Sequence, residues 1–302
     1  MNFISYDSFR KHIESNLTFH SFNTSEPWVI MNEIESQIKE KIETVGTPLK
    51  DWAIKISNGI KTGFNKAFII DEYTRSVLLA KDPKCEEIIK PILRGRDIKR
   101  HSYKWEKLFL INTHNGIKSK NIPPVEINDY LTVKRYLNQY YDNLEKRQDQ
   151  GVTPYNLRDC AYLDSFEKEK LIFSNMTTVP SFAYDDSGFL ANQKCYIITG
   201  VHLKYLFAIF NSKFFHSCFW NYFPSLGKDG RELGKVFFVE LKIPIPNKRL
   251  ENKFEKKVDE ILQRKKDNKS TEILELEIDE MVYELYGLTV EEIEYIKKNR
   301  RI

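Results

Sequence analysis

The hydrophobic period changes twice along the chain, and this limits the folds open to it. Ile30, Ile34, Ile38 and Ile42 recur every four residues with Glu, Lys and Gln between them, the pattern of a helix with one buried face. Gly46 and Pro48 are stop signals, so the first helix is expected over Trp28–Val45. From Leu49 to Pro246 the apolar runs are short and rich in β-branched and aromatic residues. Trp52–Ile56, Ala67–Asp71, Leu108–Ile111, Leu171–Ser174, Ser181–Tyr184 and Cys195–Ile198 read as strands. Gly59, Gly63, Gly95, Gly116 and Gly188 punctuate them. Two helices are expected among the strands. One is Val125–Asp149, with Leu131, Leu137 and Leu144 inward. The other is His202–Phe219, apolar on most sides and therefore largely buried. After Asn247 the helical period returns. Leu250, Phe254, Val258, Ile261 and Leu262 make one stripe. The polar run Asp267–Ser270 turns the chain, and Leu274, Ile278, Met281, Val282 and Leu285 make a second stripe, ended by Gly287. Thr289 and Glu292 have capping-box spacing for a short last helix.

The expected class is α+β, in three parts: residues 1–48 as a connector with an amphipathic helix, 49–246 as a mixed-sheet body, and 247–302 as a helical appendage. A chain of 302 residues can bury a full core. No apolar run approaches the roughly 20 residues of a membrane span. The start, MNFISYDSFRKHIESN, has no apolar signal-peptide core. Cys85, Cys160, Cys195 and Cys218 are far apart, which argues against a disulfide framework or a zinc site and fits a reducing cytoplasm.

Net charge is only +4, but it is unevenly held. Lys90–Lys120 carries nine basic and two acidic residues, Gly188–Lys235 six and two, and residues 247–302 thirteen and fourteen. Two central basic blocks can face a polyanion, or simply form a solvated face. Familiar catalytic signatures are missing. There is no GxGxxG, Walker A, GxSxG or HExxH. Asn121-Ile122-Pro123-Pro124-Val125 lacks the adjacency and the aromatic of the adenine-methyltransferase Asn-Pro-Pro-Tyr motif and reads as a rigid loop. Glu251-Asn252-Lys253 and Glu255-Lys256-Lys257 match a nuclease triplet but sit in a helical pattern, as exposed ion pairs. The six histidines form no spaced cluster. No catalytic, cofactor-binding or metal-binding residue is therefore expected in this chain.

Several segments in order carry a resemblance: WAIKISNGIKTGFNKAFIID at Trp52–Asp71, IKPILRGRDIKR at Ile89–Arg100, Val179–Phe182, YLFAIFNSK at Tyr205–Lys213, LKIPIP at Leu241–Pro246 and VYELYGLT at Val282–Thr289. Together they resemble the TaqI-like C-terminal specificity domain of type II, especially type IIG, restriction–modification proteins. The resemblance covers about Trp28 to Thr289. It implies a mixed-sheet DNA target-recognition domain that reads a short duplex DNA sequence for adenine-N6 methylation, and in some systems cleavage. S-adenosylmethionine, and Mg if a nuclease belongs to the system, would be held by a methyltransferase or nuclease core outside this chain, in cis or in trans. The chain is then a fragment or a separately encoded specificity part. Its expected place is the bacterial or archaeal cytoplasm, at the nucleoid, with no membrane partner. The competing readings are a divergent stand-alone nuclease or methyltransferase, and a protein-interaction scaffold.

Candidate DNA contacts follow from residue chemistry. Arg94, Arg96, Lys99, Arg100 and Lys104 alternate with short residues and suit a strand–loop edge facing phosphates. Asp97 is also placed to pair with Arg94 or Arg100 internally. Lys61, Thr62 and Asn65 lie in a glycine-flanked turn that either approaches DNA or is an ordinary hairpin. Asn192, Gln193 and Lys194 follow a turn; amides suit adenine and lysine suits guanine, although a solvated strand start is an equal alternative. Lys228 and Arg231 lie in the flexible basic loop Gly227–Arg231, which either orders on DNA or stays an ordinary surface loop.

Overall fold

A computed structural model describes Arg10 and residues 32–219, 222–227 and 230–298. The fold is α+β. The first part of the chain forms α1 (Glu33–Val45), β1 (Thr47–Pro48), β2 (Ile54–Asn58), β3 (Ile69–Asp71), α2 (Glu72–Lys81) and β4 (Ile89–Leu93). Then follow β5 (Ile98–Lys99), β6 (Ser102–Tyr103), β7 (Leu108–Ile111), α3 (Leu131–Asn138), α4 (Tyr141–Lys146), β8 (Lys170–Ser174), β9 (Met176–Thr177) and β10 (Phe182–Asp185). The last part forms β11 (Leu190–Ala191), β12 (Cys195–Gly200), α5 (Leu203–Phe210), β13 (Ser225–Leu226), β14 (Gly230–Glu232), β15 (Lys242–Ile243), α6 (Lys248–Lys266), α7 (Glu272–Leu285) and α8 (Val290–Lys298).

Two four-stranded sheets make the body. The first is antiparallel, in the order β10-β8-β12-β2. The second has the order β11-β4-β7-β3, with β11 parallel to β4. Strand alternation sends successive side chains to opposite faces. In the first sheet Ile56, Leu171, Phe173, Phe182 and Ile198 enter one apolar cluster, while Ile172, Ala183, Cys195 and Ile197 enter another. Both faces are covered, so these strands read as continuous apolar runs. The second cluster is closed by the second sheet, α2, α3 and α4 through Phe68, Leu78, Leu110, Val133, Leu137 and Leu144. The first is closed by α1, α5 and the C-terminal helices through Ile38, Ile42, Tyr205, Phe254, Val258, Ile278, Val282 and Tyr286. β1 pairs with β15, so α1 enters and α6 leaves the body side by side.

Element boundaries depart from the sequence reading where side chains intervene. α1 starts at Glu33, because Asn32 and Glu35 form a capping box; Trp28 and Ile30 lie outside the described residues. Ala67 and Phe68 lie in a helical turn that ends before β3. The helix expected over Val125–Asp149 is two short ones broken at Gln139–Tyr140. Leu131 is exposed, and Val133 takes the inward place beside Leu137 and Leu144. The helix expected over His202–Phe219 stops at Phe210. There the Asn211 side-chain amide donates to the Phe182 and Phe207 carbonyls and its oxygen accepts from the Phe182 N–H. That clamp ties α5 to β10, and the chain resumes as a π-helical turn over Phe215–Phe219. The Thr289–Glu292 capping box forms as read: the Thr289 N–H donates to Glu292 Oε2 at 2.6 Å and the Glu292 N–H to Thr289 Oγ1 at 3.3 Å.

Candidate nucleic-acid interface

Sheet register gathers distant segments at one end of the body. In the first sheet Asn58 faces Tyr196, and Ser174 faces Cys195, so the end of β2, the start of β12 and the end of β8 lie together. Ile60 bridges Asn192 in parallel, and a Cβ on Gly59 would lie 1.9 Å from the Asn192 carbonyl. Only glycine permits that approach. A Cβ on Gly95 would sit 2.7 Å from Ser174 Oγ and 3.0 Å from the Lys194 carbonyl, so the Arg94–Asp97 turn packs on the same end. Asn175 donates to the Lys194 carbonyl at 2.9 Å, and Arg231 in β14 pairs with Thr177 in β9. Residues around 60, 95, 175, 193 and 231 thus meet.

Within that end the candidate residues divide. Arg94 is not presented outward. Its guanidinium grips Asp97 at 2.8 and 3.1 Å, and the same carboxylate accepts the Arg94 N–H at 2.8 Å, which braces the turn. Arg96, two residues on, is exposed, and Lys99 Nζ donates to its carbonyl at 3.0 Å. Lys104 is exposed beside Glu106 at 3.1 Å. Arg94, Arg96, Asp97, Lys99, Lys104, Glu106 and Leu108 line a groove of about 480 Å³. Arg100 leaves this group: it bonds the Asn211 carbonyl at 2.9 Å and Glu275 in α7 at 2.6 Å, joining the body to the C-terminal helices.

Thr62 is 1% exposed and its hydroxyl donates to Asn65 Oδ1 at 2.6 Å, so it shapes its turn from inside, while Lys61 and Asn65 are exposed. Asn192 is also buried; its Oδ1 accepts the Lys194 N–H at 3.1 Å and its own N–H bonds Leu93. Gln193 is half-buried and Lys194 exposed. Arg231 is half-buried and bonds Ser225 at 3.0 Å. Lys228 lies outside the described residues. Much of the basic block is neutralised locally, Lys107 by Glu72 and Lys120 by Asp164. Lys61, Arg96, Lys99 and Lys194 form no ion pair among the described residues.

Arg147 was not among the sequence candidates. In the run Glu145-Lys146-Arg147-Gln148-Asp149 it looks like a solvated helix end. It is buried, and donates to the carbonyls of Thr62, Asp149 at 2.8 Å, Pro154 at 2.9 Å and Asn156. Its guanidinium lies 4.7 Å above the Phe68 ring. Burial lowers its pKa to about 10, so it remains charged at neutral pH. One cation thereby holds the Lys61–Asn65 turn against the 149–156 loop. Only the spacing of carbonyls in the folded chain reveals this role.

Burial pushes the Cys85 and Cys160 thiols up to about 11, so they stay protonated at neutral pH. Among the described residues no three His, Cys, Asp or Glu side chains come together in a way that could hold a metal ion, and no helix is long and apolar enough to cross a membrane.

Residues 90–242 match the family described as the TaqI-like C-terminal specificity domain. Among solved structures, the fold is similar to the type IIL restriction-modification enzyme MmeI in complex with DNA, with a TM-score of 0.60 and 11% identity over 83% of this chain and 36% of that one. A second similar structure is the type IIG restriction endonuclease BpuSI, with a TM-score of 0.49 and 14% identity over 85% of this chain and 34% of that one. The match spans about a third of each of those chains. No curated protein sequence matches.

Proposed function

Since the chain belongs to the family of TaqI-like C-terminal specificity domains, we propose that it reads duplex DNA from the end of the body where its loops converge. The observation that carries this reading is the meeting of Arg96, Lys99, Lys194 and the turn that bears Lys61, four cations that form no ion pair among the described residues, on a braced scaffold. Arg96, Lys99 and Lys104 suit phosphates and fix register on the duplex. Lys194, Gln193, Asn65 and Arg231 are the groups able to bond base edges. Methylation of adenine, and any cleavage, belongs to a methyltransferase or nuclease core outside this chain, in cis or in trans. S-adenosylmethionine, and Mg for a nuclease, are cofactors of that core. The task of this chain is to hold the duplex so that one adenine faces the core.

Fluorescence anisotropy on labelled duplex DNA across a salt series tests the reading. Engagement of about 4–6 phosphates gives a slope of log affinity against log salt near −4 to −5. A flat salt dependence, or no binding at low salt, overturns it. With labelled S-adenosylmethionine the chain alone should transfer no methyl group, and transfer should appear when the core is supplied. Site-specific methylation by the purified chain alone would make it an enzyme rather than a reader.

A further inference from the structure

We propose that the groove between α2 and α3 is a second contact for the sugar–phosphate backbone of the same duplex, flanking the base pairs that are read. The inference rests on the DNA-reading role proposed above and extends the contact beyond the candidate residues of the sequence. The groove has a volume of about 470 Å³, and Tyr73, Val77, Lys81, Arg135, Tyr136 and Gln139 are among its lining residues. Among the described residues no acidic side chain lines it. Lys81 from one helix and Arg135 from the other are exposed and form no ion pair among the described residues. That sets them apart from Arg75 nearby on α2, which pairs with Glu86 at 2.7 Å, and from Lys107, which pairs with Glu72. Tyr73 is 77% exposed. Two cations on the two helices of one groove, with no ion pair and no lining carboxylate among the described residues, favour a polyanion. Tyrosine and threonine hydroxyls there add hydrogen-bond partners of the kind that phosphate and sugar accept.

Position decides for duplex DNA over another polyanion. Leu108 lines the Arg96 groove and pairs in register with Asp71. Asp71 caps α2 by accepting the Thr74 N–H at 2.8 Å, and Thr74 lines the second groove. The two grooves therefore adjoin at Asp71, an exposed carboxylate that is engaged in capping α2. At the other side Gln139 is followed by Tyr140, whose ring packs 6.0 Å from that of Phe64 in the Lys61–Asn65 turn. The α2–α3 groove thus continues the basic face from both segments already assigned to it, and a backbone leaving the reading site meets Lys81 and Arg135.

The test compares the intact chain with the double variant Lys81→Gln, Arg135→Gln and with Arg96→Ala, on random-sequence duplex of about 30 base pairs over a salt series. Both cations are exposed, so thermal melting should be unchanged. The charge-keeping variant Lys81→Arg, Arg135→Lys covers any loss of packing. Losing two phosphate contacts should flatten the slope by about 2 and weaken binding equally on all sequences, with the charge-keeping variant near the parent. An unchanged slope in the Gln variant, beside a weakened Arg96→Ala, overturns the groove contact alone. Absence of salt-sensitive binding by the parent overturns the DNA-reading role itself.

Discussion

Arg94 and Arg96 stand two residues apart and do opposite things. The turn points Arg94 at Asp97, which is 2% exposed, and leaves Arg96 in solvent. Removing Arg94 leaves a buried carboxylate without its charged partner. Arg94→Ala should therefore cost about 1–3 kcal/mol of stability, read as a fall in the urea midpoint. Arg96→Ala should stay within about 0.5 kcal/mol of the parent and instead weaken DNA binding by a similar factor on every sequence. His101 is a second case of local surroundings overruling residue type. It is 2% exposed, lies against Phe207 with ring centroids 5.4 Å apart, and neither ring nitrogen has a hydrogen-bond partner among the described residues. Burial lowers its pKa, Arg100 adds to the effect, Glu275 at 3.7 Å opposes it, and Lys265 lowers it a little further. Below the usual histidine value of 6.5 the unfolded chain takes up a proton that the fold refuses. Stability should be level above about pH 7 and fall as pH drops to about 5, by up to about 1.4 kcal/mol per unit. Urea titrations at several pH values check this, and His101→Phe should flatten the dependence.

Among elements, two segments are each held by one polar side chain. Asn211 stops α5 by clamping β10. Arg147 ties the Lys61–Asn65 turn to the 149–156 loop, and Gly63 in that turn has φ of +70°, the left-handed region that suits glycine. Arg147→Met would leave the carbonyls of Thr62, Asp149, Pro154 and Asn156 without their donor. It should cost about 1.5–3 kcal/mol, with Arg147→Lys recovering part of it. Amide hydrogen exchange should speed up in residues 61–65 and 149–157 and stay slow in β8 and β12. Uniform protection in the variant would mean that the turn holds itself.

Across the whole molecule, one apolar cluster passes from α1 through the first sheet and α5 into α6, α7 and α8. Tyr205 in α5 packs edge-on against Phe254 in α6 at 5.0 Å, and its hydroxyl donates to the Pro244 carbonyl at 2.8 Å. Phe214 stacks on Tyr286 at 4.2 Å. A chain cut before Asn247 should expose α5 and lose cooperative melting, whereas a separable tail would leave the melt of the body intact. Thermal melting followed by circular dichroism distinguishes the two outcomes.

Period and punctuation along the chain were enough to read α1, the strands β2, β3, β7, β8, β10 and β12 and the three C-terminal helices, because burial of one face imposes a repeat on residues near in sequence; β4, a central strand of the second sheet, was not read. The segments of the family resemblance were legible for the same reason, being local strings. Long-range partners left no such trace. Thr62 and Arg94 are turned from solvent by turn partners three residues on, Asn65 and Asp97, whereas Asn192 and Arg100 are held by Leu93 and Glu275, far along the chain. Arg147 finds its carbonyls in the same way. Charge counts could locate the basic blocks, but only the folded arrangement of neighbours decided which cations are neutralised from within and which remain for a partner.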